Sequence, residues 1–374
     1  MNENTNVLGL IFANMHDHTV VDLTKERTMG SILFGGRYRL IDFPLSNMVN
    51  SGISEVGVIT KSNYQSLLDH LGSGREWDLA RKKGGLHLLP PFGHVGSGIY
   101  RGRLEALYGV WQFVKNSPAE YVLLSDCDII TSIDYEKVIK QHIDSLADIT
   151  VVYGKSILSM EQAVNSTVLS VNDDDRIFDI LLNPQISGAC NVSLNMFVLS
   201  KEFLKNIVLS AASRNQYSFE RDVLQAHIKD YKIMGYMHEG YFSKIDSISN
   251  YYKANIALLN HEIREKLFID KAPIYTKIRD NAPVKYGLDS NVKNSLIADG
   301  CIIEGTVENS ILFRGVKVAK GATIKNSILM QDTVIGQKCD INYVITDKKV
   351  MIGNFRLLTG SQYYPLYVGK GATI

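Results

Sequence analysis

The sequence predicts a mixed α/β domain followed by a parallel β-helix, and two observations predict this arrangement. Apolar runs of strand length recur through the first part of the chain, as in residues 7–13, and such runs are typical of strands covered on both faces. After residue 292, apolar side chains instead recur every sixth residue with glycines between them, a period typical of a β-helix. We therefore predict an α/β domain at 1–265, a linker at 266–291 and a β-helix at 292–374.

The α/β domain is predicted to contain strands at residues 7–13, 56–60, 121–125 and 192–198, with helices at 40–48 and 254–265. The strand at 121–125 runs directly into Asp126, Cys127 and Asp128. Open α/β sheets bind their ligands at the carboxyl ends of parallel strands. Carboxylates at this position are therefore candidate ligand-binding groups.

Two lines of apolar residues, offset by four positions, predict the coils of the β-helix. The first line is Val316, Ala322, Ile328 and Val334, and the second is Leu312, Val318, Ile324 and Met330. Residues 368–374 have the same character and are predicted to form a further turn. Residues 271–284 contain two prolines and mixed charge, which favours a linker.

The charge balance argues against several classes of partner. The 374 residues include 40 basic and 39 acidic side chains, for a formal net charge of +1, which provides no electrostatic footprint for nucleic acid. No apolar stretch reaches the ~18 residues that a membrane span needs.

Four widely spaced cysteines argue against a zinc cluster or a disulfide framework. We expect a cytoplasmic protein with neither a nucleic-acid nor a membrane partner.

The most specific motif of the chain lies at residues 24–53. It reads TKERTMGSILFGGRYRLIDFPLSNMVNSGI and closely resembles the signature of the ADP-glucose pyrophosphorylases (glucose-1-phosphate adenylyltransferases). The resemblance implies a Rossmann-like, GT-A-like nucleotidyltransferase domain with a mixed sheet, followed by a left-handed β-helix. Active members of this family convert ATP and glucose 1-phosphate to ADP-glucose and pyrophosphate with Mg²⁺.

Set against this family, the chain departs from the pattern at the phosphate-binding loop. The family's glycine-rich motif GGxGxRL places its three glycines on Asn14, Met15 and Asp17, and its arginine on Thr19. The family's signature lysine falls on Met29. Because phosphate binding at such loops depends on close approach of backbone N–H groups, the resemblance implies that no catalytic residue is intact here.

The family's metal site is also altered. Its first metal-binding carboxylate corresponds to Asp128, whereas the second corresponds to Lys244. We expect no bound metal at this remnant, and a Lys244–Asp128 salt bridge in its place; a shift in register that makes Asp246 the ligand is the alternative. Two histidines, His16 and His18, leave two readings open: metal ligands, or an exposed loop with incidental histidines.

The remaining family positions predict a vestigial nucleotide or sugar-phosphate pocket. Asn183 replaces the lysine that pairs with the phosphoryl group, and Leu182 replaces the glutamate that contacts sugar hydroxyls. Arg103 and Leu104 replace small residues and are expected to crowd the base pocket. The predicted pocket residues are Gly102, Glu105, Asp128, Asn183, Ser193 and Asp222.

These departures predict a catalytically impaired, regulatory subunit that resembles the D-type subunit of bacterial glycogen synthesis. The resemblance implies a catalytic glucose-1-phosphate adenylyltransferase partner in a heterotetramer, and a homo-oligomer when the chain is alone. Mg²⁺ would serve that partner, and this chain would need no cofactor. A self-sufficient but divergent adenylyltransferase is the alternative, and a sensor of sugar phosphates or nucleotides is a third hypothesis.

An effector site is predicted at the arginines of the signature. Arg37 falls on the family's effector-binding lysine, and Arg39 lies two residues further on. The resemblance implies that they bind an anionic metabolite. The alternative is that both arginines are surface or interface charges.

Overall fold

A nine-stranded mixed sheet forms the first domain of the computed structural model, which describes residues 6–91, 100–269 and 272–374. Residues 270–271 of the predicted linker lie outside the described residues. The strands of this domain are β1 (Val7–Phe12), β2 (Leu33–Phe34), β3 (Tyr38–Arg39), β4 (Glu55–Ile59), β5 (Gly85–Leu89), β6 (Tyr121–Asp126), β7 (Ile129–Thr131), β8 (Ile149–Leu158), β9 (Thr167–Val171), β10 (Ile177–Leu182), β11 (Gly188–Ser200), β12 (Ile233–Met237) and β13 (Phe242–Lys244).

The sheet combines parallel and antiparallel pairs. Its main path is β10-β9-β11-β6-β1-β4-β5, and β8 joins both β11 and β12. Strand β1 pairs in parallel with β4 and β6, whereas β11 pairs antiparallel with β6 and β8. The four strands predicted from the sequence are therefore confirmed, and so is the mixed α/β class.

Ten α-helices are described in the same domain. They are α1 (Val21–Thr24), α2 (Asp42–Asn50), α3 (Gln65–Leu71), α4 (Arg103–Gly109), α5 (Trp111–Asn116), α6 (Tyr135–Asp144), α7 (Met160–Ala163), α8 (Lys201–Ser213), α9 (Ile248–Ala257) and α10 (His261–Leu267). The single helix predicted at 254–265 is wrong, because α9 ends at Ala257 and a new helix follows. Asn260 caps that helix, since its side-chain oxygen accepts a hydrogen bond from the Glu262 N–H at 2.9 Å.

Apolar side chains pack on both faces of the sheet, which explains the uninterrupted apolar run of β1. Val7 and Ile11 belong to one buried cluster, whereas Leu8, Leu10 and Phe12 belong to the other. Successive side chains of a strand point to opposite faces, so a strand between two cores needs apolar residues at every position.

The second domain is a left-handed β-helix of three five-stranded parallel sheets. The first sheet is β14 (Lys285–Tyr286), β17 (Ile302–Ile303), β20 (Lys317–Val318), β23 (Val334–Ile335) and β26 (Met351–Ile352). The second is β15 (Asn291–Lys293), β18 (Thr306–Glu308), β21 (Thr323–Lys325), β24 (Asp340–Asn342) and β27 (Leu357–Thr359). The third is β16 (Leu296–Ile297), β19 (Ile311–Leu312), β22 (Ile328–Leu329), β25 (Val344–Thr346) and β28 (Leu366–Val368).

The coils begin earlier than residue 292 and drift against the six-residue period. Strand β14 already pairs in parallel with β17. Asn291 pairs with Thr306, 15 residues later, and Thr323 and Asp340 follow at intervals of 17 residues, so the coils do not span a multiple of six. The inward phase therefore slips, and Ile335 is buried where Val334 is only half-buried.

The last residues continue the coil, as the sequence predicts. The Met351 N–H donates to the Ala372 carbonyl oxygen at 2.8 Å, and the Gly353 N–H donates to the Ile374 carbonyl oxygen at 2.7 Å. Among the described residues, no helix has the length and apolar character that crossing a bilayer requires.

The third sheet of the β-helix packs against the first domain. Ile311, Ile328 and Ile345 share a buried cluster with the first domain's sheet. A buried ion pair crosses the same contact: Arg27 Nη2 donates to both carboxylate oxygens of Asp347, at 2.8 and 2.7 Å. Both side chains are at most 4% exposed.

Candidate functional site

The predicted ligand pocket lies at the carboxyl ends of β1 and β6. The two strands are in parallel register with Phe12 opposite Asp126, so residues 14–19 and 126–128 leave the sheet side by side. The pocket between them has a cavity volume of about 430 Å³. Its lining residues come from the loop after β1, the start of α4, the start of β9, the end of β10, the strands β11 and β13, and the segment after α8. They are Met15, His16, His18, Thr19, Arg101, Gly102, Arg103, Asn165, Thr167, Leu182, Asn183, Asn195, Tyr217, Ser218, Glu220 and Lys244.

A cluster of charged side chains forms the floor of this pocket. His16 Nε2 lies 2.7 Å from Asp126 Oδ2 and 3.7 Å from Asp128 Oδ2. Arg103 Nη2 donates to the same Asp126 oxygen at 2.6 Å, and Arg103 Nη1 pairs with Glu220. Arg103 therefore does not extend into the base pocket as expected but lies beneath it, with its side chain 3% exposed.

The electrostatics of the floor follow from burial and from these pairs. Burial opposes ionisation of Asp126, yet the Arg103 guanidinium and the His16 imidazole hold the pKa of that carboxyl below its ordinary value. For Asp128, burial prevails and raises the pKa above the ordinary value. Burial opposes protonation of His16, but the carboxylates of Asp128 and Asp126 raise its pKa. The cluster thus favours a charged imidazole between two acidic groups.

Asn195 adds a donor to the cluster through an unusual backbone conformation. Its φ is +56°, in the left-handed region that asparagine tolerates better than most residues. The register of β11 and β8 shifts between Ser193 and Met196 at this point. The Asn195 Nδ2 group consequently donates to Asp128 Oδ2 at 3.0 Å. The asparagine that replaces the family's glycine therefore contacts the acidic pair.

Lys244 lies beside Asp128 but does not form the predicted salt bridge. Strand β13 places Lys244 opposite Ile129, and the Ile245 N–H donates to the Asp128 carbonyl oxygen at 2.8 Å. The Lys244 ammonium instead donates to the Asn165 carbonyl oxygen at 2.6 Å. The cationic side chain near the Asp128 carboxylate is instead His16, with its Nε2 3.7 Å from Oδ2, because the loop after β1 leaves the same edge of the sheet as Asp128.

The register alternative for the second metal ligand finds no geometric support. Asp246 Oδ1 accepts a hydrogen bond from Asn250 Nδ2 at 2.5 Å, at the start of α9. Among the described residues, the side chains whose ligand atoms lie close enough together to share a metal ion are His16, Asp126 and Asp128. Asp246 and His18 do not belong to this group.

The altered phosphate-binding loop is held by its own side chains. Asp17 Oδ1 accepts from the Met29 N–H at 2.8 Å, and Asp17 Oδ2 accepts from Asn14 Nδ2 at 2.5 Å. Thr19 Oγ1 donates to the His16 carbonyl oxygen at 2.8 Å. Burial raises the pKa of Asp17 to about 6. Met15 lines the pocket. These residues therefore fix the loop by side-chain contacts, where the family uses glycine.

Other predicted pocket positions are occupied by structural contacts. A Cβ on Gly102 would lie 2.3 Å from the Tyr217 carbonyl oxygen, and Glu105 Oε1 pairs with Arg101 Nη2 at 2.5 Å. Asp222 Oδ2 accepts from the backbone N–H groups of Tyr217 and Ser218, both at 3.0 Å. Gly102 lines the pocket, but Glu105 and Asp222 do not.

Of two further predicted pocket residues, one lines the cavity and the other does not. Asn183 lines the pocket and has a φ of +50°, whereas Ser193 is buried and accepts from the Asn195 N–H at 3.3 Å. Of the predicted pocket set, Gly102 and Asn183 face the cavity directly, and Asp128 lies in its floor.

The residues around Asp128 do not fit Mg²⁺. His16, Asp126 and Asp128 each offer one ligand atom, and these atoms lie within 4.8 Å of one another. Asp126 Oδ1 and Asp128 Oδ1 are buried without a hydrogen-bond partner, but Asp126 Oδ2 already accepts from His16 and Arg103, and β13, which pairs with β7, brings Lys244 beside them. Mg²⁺ prefers an octahedral set of oxygen ligands, and neighbouring side-chain cations repel it.

A second cavity, lined from both domains, brings the two predicted effector residues together. Arg37 is exposed, and Arg39 is buried, with its Nη1 donating to Ser66 Oγ at 2.9 Å. Burial lowers the pKa of Arg39 to about 10. The other charged or titratable lining residues are His70, Lys277, Arg279 and Arg314. Among the described residues, Arg314 is the one arginine or lysine of this lining with a carboxylate partner, Asp299, at 3.1 Å, while His70 Nε2 lies 2.6 Å from Asp42 Oδ1.

Sequence reasoning missed the role of Arg103 and underrated Asp126. The signal was present: Arg103 replaces a small residue directly after the tightly packed Gly102, and the next strand, β6, runs into Asp126 and Asp128. A basic side chain at that position needs an acidic partner if it is buried. Neither the partner nor the direction of the side chain follows from spacing alone.

Together, the mixed sheet, the pocket at its carboxyl edge and the coiled second domain define a nucleotidyltransferase-type domain joined to a hexapeptide-repeat domain. Residues 18–261 match the family described as nucleotidyl transferase, and residues 282–357 match that described as GlmU-like, C-terminal hexapeptide.

Individual relatives narrow this class. The chain is 36% identical to the glycogen biosynthesis protein GlgD of Bacillus subtilis (strain 168) over 369 residues, covering 98% of this chain and 97% of the relative. It is 34% identical to a glucose-1-phosphate adenylyltransferase of Clostridium botulinum (strain Alaska E43 / Type E3), covering 94% and 97%. It is 35% identical to the GlgD protein of Geobacillus stearothermophilus, covering 86% and 83%. The chain belongs to the glucose-1-phosphate adenylyltransferase (ADP-glucose pyrophosphorylase) family.

Proposed function

We propose that this chain is a regulatory, catalytically impaired subunit of a cytoplasmic glucose-1-phosphate adenylyltransferase that supplies ADP-glucose for glycogen synthesis. Its similarity to two proteins named glycogen biosynthesis protein GlgD supports the pathway. The partner is a catalytic subunit of the same family, in a heterotetramer. That partner would use Mg²⁺, ATP and glucose 1-phosphate, whereas this chain needs no cofactor of its own.

One observation carries the proposal: the chemistry-bearing positions of the pocket hold groups that oppose the reaction. Lys244 and Arg103 place fixed positive charge around Asp126 and Asp128. Nucleotidyl transfer depends on positioning and on charge neutralisation in the transition state. Loss of one such group often costs ~10² to 10³ in rate. A domain that keeps the family's fold but lacks the groups that position and neutralise the substrates is better suited to regulating a partner than to catalysing the reaction.

Exposed apolar side chains on the last coil support a subunit contact. Phe355, Leu357, Tyr363 and Tyr364 are all at least 71% exposed, and contiguous exposed apolar surface commonly marks an interaction site. We assign this surface to the catalytic partner.

The proposal predicts the outcome of a three-way activity assay. This chain alone should form no ADP-glucose above background, and its mixture with a catalytic subunit should exceed the rate of that subunit alone. The measurement is ADP-glucose formation with Mg²⁺, together with co-purification of the two chains. Turnover by the isolated chain would instead favour a self-sufficient enzyme, and a mixture that neither co-purifies nor changes in rate would refute the regulatory role.

We propose that the cavity between the domains binds an anionic effector through Arg37 and Arg39. Lys277, Arg279 and Arg314 add positive charge to the same lining. Charged donors make the strongest contacts to phosphate and sulfate groups. The cavity is lined from the signature loop and from the β-helix, so an anion in it would contact both domains.

Lys348 is not one of the lining residues, but its charge interacts with those of Arg39 and Arg279 in the lining, and it therefore predicts a pH dependence for this site. Burial and the charges of Arg39 and Arg27 lower the pKa of Lys348 to about 7, while Asp347 acts in the opposite direction. A bound anion would raise that pKa, so binding takes up a proton above neutral pH. The affinity for sulfate, whose own charge does not change in this range, should fall by up to about ten-fold per pH unit above pH 7.

Calorimetric titration of sulfate across this pH range tests the linkage. Lys348→Met should remove most of the pH dependence, since His70 in the same lining is buried with Asp42 as its partner. An affinity that is flat with pH in the unmodified chain would contradict the prediction.

A further inference from the structure

We propose that the chain binds one Zn²⁺ ion between His16, Asp126 and Asp128, and that the ion fastens the loop after β1 to the end of β6. The three side chains each offer a ligand atom to the same point of the floor of the pocket. This inference concerns the chain by itself and does not depend on the regulatory role or on a partner.

The first step of the argument is that both aspartates keep an unused oxygen. Asp126 Oδ1 and Asp128 Oδ1 are buried and accept no hydrogen bond from the described residues, and both side chains are at most 1% exposed. Buried polar atoms normally have a partner, because leaving them without one is costly. The two oxygens therefore indicate that the cluster accommodates a further group, which must be a cation or a hydrogen-bond donor.

The second step is that the spacing of the ligand atoms suits Zn²⁺. His16 Nε2 lies 2.7 Å from Asp126 Oδ2 and 3.7 Å from Asp128 Oδ2. Nitrogen and oxygen ligands surround Zn²⁺ in a tetrahedron at about 2.0–2.2 Å, so neighbouring ligand atoms are roughly 3.4 Å apart. The two distances lie on either side of this value, and small shifts would place the ion among all three side chains.

The third step is that the histidine distinguishes Zn²⁺ from Mg²⁺. Mg²⁺ requires an octahedral set of oxygens, whereas imidazole nitrogen is a preferred ligand of Zn²⁺. A set of three protein ligands with water in the fourth position is common for this ion. The His16 side chain is 26% exposed and lines the pocket of about 430 Å³, which provides both the entry and the room for that water.

The ligands are also held in place by neighbouring groups, as metal ligands usually are. Arg103 Nη2 donates to Asp126 Oδ2 at 2.6 Å, and Asn195 Nδ2 donates to Asp128 Oδ2 at 3.0 Å. On the loop, Thr19 Oγ1 donates to the His16 carbonyl oxygen at 2.8 Å. Since the histidine and Asp126 are 110 residues apart in the chain, an ion between them would link two separate segments.

The charge around the cluster favours a positive ion once the imidazole is neutral. The carboxylates are those of Asp126, Asp128 and Glu220, and the cations beside them are Arg103 and Lys244. One negative charge is therefore left over when all three carboxylates are ionised. A cation between the imidazole and the acidic pair compensates it, so a proton and Zn²⁺ compete for the imidazole nitrogen.

Calorimetric titration with ZnCl₂ tests the proposal on the full chain, after treatment with EDTA and transfer to buffer without chelator. We expect saturable uptake of one Zn²⁺ per chain, which a large excess of Mg²⁺ does not displace. Co²⁺ bound in the same place should absorb visible light strongly, as four-coordinate Co²⁺ does and six-coordinate Co²⁺ does not. Hydrogen exchange at residues 14–19 should slow when Zn²⁺ is added, and unchanged exchange there would overturn the fastening of the loop.

Variants assign the uptake to this cluster. His16→Gln and Asp128→Asn should each weaken Zn²⁺ binding at least about 100-fold, since a change in an outer-shell partner alone costs about 10–100-fold. The control His18→Gln changes an exposed histidine of the same loop that does not belong to the cluster and should have no effect. Urea unfolding in EDTA shows whether each variant is folded.

Three further outcomes would overturn the proposal. The first is that the EDTA-treated chain takes up no Zn²⁺, which would leave the unused oxygens to a water molecule. The second is uptake that His16→Gln and Asp128→Asn leave intact, as for an adventitious ion at a surface pair such as His227 and Asp230. The third is displacement of Zn²⁺ by Mg²⁺, which would show that oxygens alone hold the ion.

Discussion

Arg103→Met should lower the free energy of unfolding by about 3–5 kcal/mol, the usual cost of removing one partner from a buried charge pair. The guanidinium of Arg103 contacts Asp126 and Glu220, and it lies over the rings of Phe12 and Phe197, at 5.2 and 5.1 Å from their centroids. Methionine keeps most of the apolar contact but leaves the buried carboxylate with His16 alone. Urea unfolding followed by circular dichroism measures the loss.

A matched control lies two residues earlier. Arg101 also pairs with a carboxylate, Glu105, but the two side chains are 49% and 30% exposed, and exposed pairs contribute little. Arg101→Met should therefore have a much smaller effect. Equal losses in the two variants would show that burial of the Arg103 pair does not matter.

The loss in Arg103→Met should also depend on pH in a definite direction. The pKa of Asp126 is held below its ordinary value in the folded chain, so the stabilisation is complete above that ordinary value and disappears as the pH falls through the folded-state pKa. The difference between Arg103→Met and the unmodified chain should accordingly shrink in acid.

Arg27→Met should be similarly destabilising, by about 3–5 kcal/mol, because it leaves Asp347 charged inside the contact between the two domains. Asp347 would keep two hydrogen bonds, from Tyr367 Oη at 2.9 Å and from the Lys348 N–H at 2.6 Å. The same urea experiment measures the effect, and limited proteolysis reports whether the β-helix separates from the first domain.

A double variant distinguishes the loss of the ion pair from the cost of leaving one charge buried without a partner. Arg27→Met combined with Asp347→Leu removes both charges, and apolar replacement of a buried pair is often neutral or stabilising. The double variant should therefore be more stable than Arg27→Met. An additive loss would contradict this account. Lys370→Met breaks the neighbouring exposed pair with Glu26, whose side chains are 42% and 51% exposed, and serves as the control.

The periodic features of the fold followed from the sequence for simple reasons. The apolar run of β1 requires cores on both faces of a sheet, and the two apolar lines at residues 312–334 require an inward-facing position in every coil. Such patterns depend on backbone geometry alone. The helix break at 258–260 was missed because it is determined by a cap at Asn260, a local hydrogen bond that periodicity does not reveal.

The candidate site was only partly predictable. The position of Asp128 followed from the rule that ligands bind at the carboxyl ends of parallel strands, and Lys244 followed from an ungapped comparison with the family pattern. The partners of these residues did not follow. His16 and Arg103 reach Asp126 from separate parts of the chain, 110 and 23 residues away, and the Lys244 ammonium turns to a backbone oxygen whose position depends on the loop after α7.

The buried pair between Arg27 and Asp347 has a consequence for how the chain is made. Its two members are 320 residues apart, so a ribosome translating about 5–20 residues per second exposes the guanidinium on the order of half a minute before its carboxylate exists. Until then the signature loop has no partner for this charge. The first domain therefore completes its packing only after the coil that contains Asp347 has emerged, and the nascent chain must stay protected from aggregation during that interval.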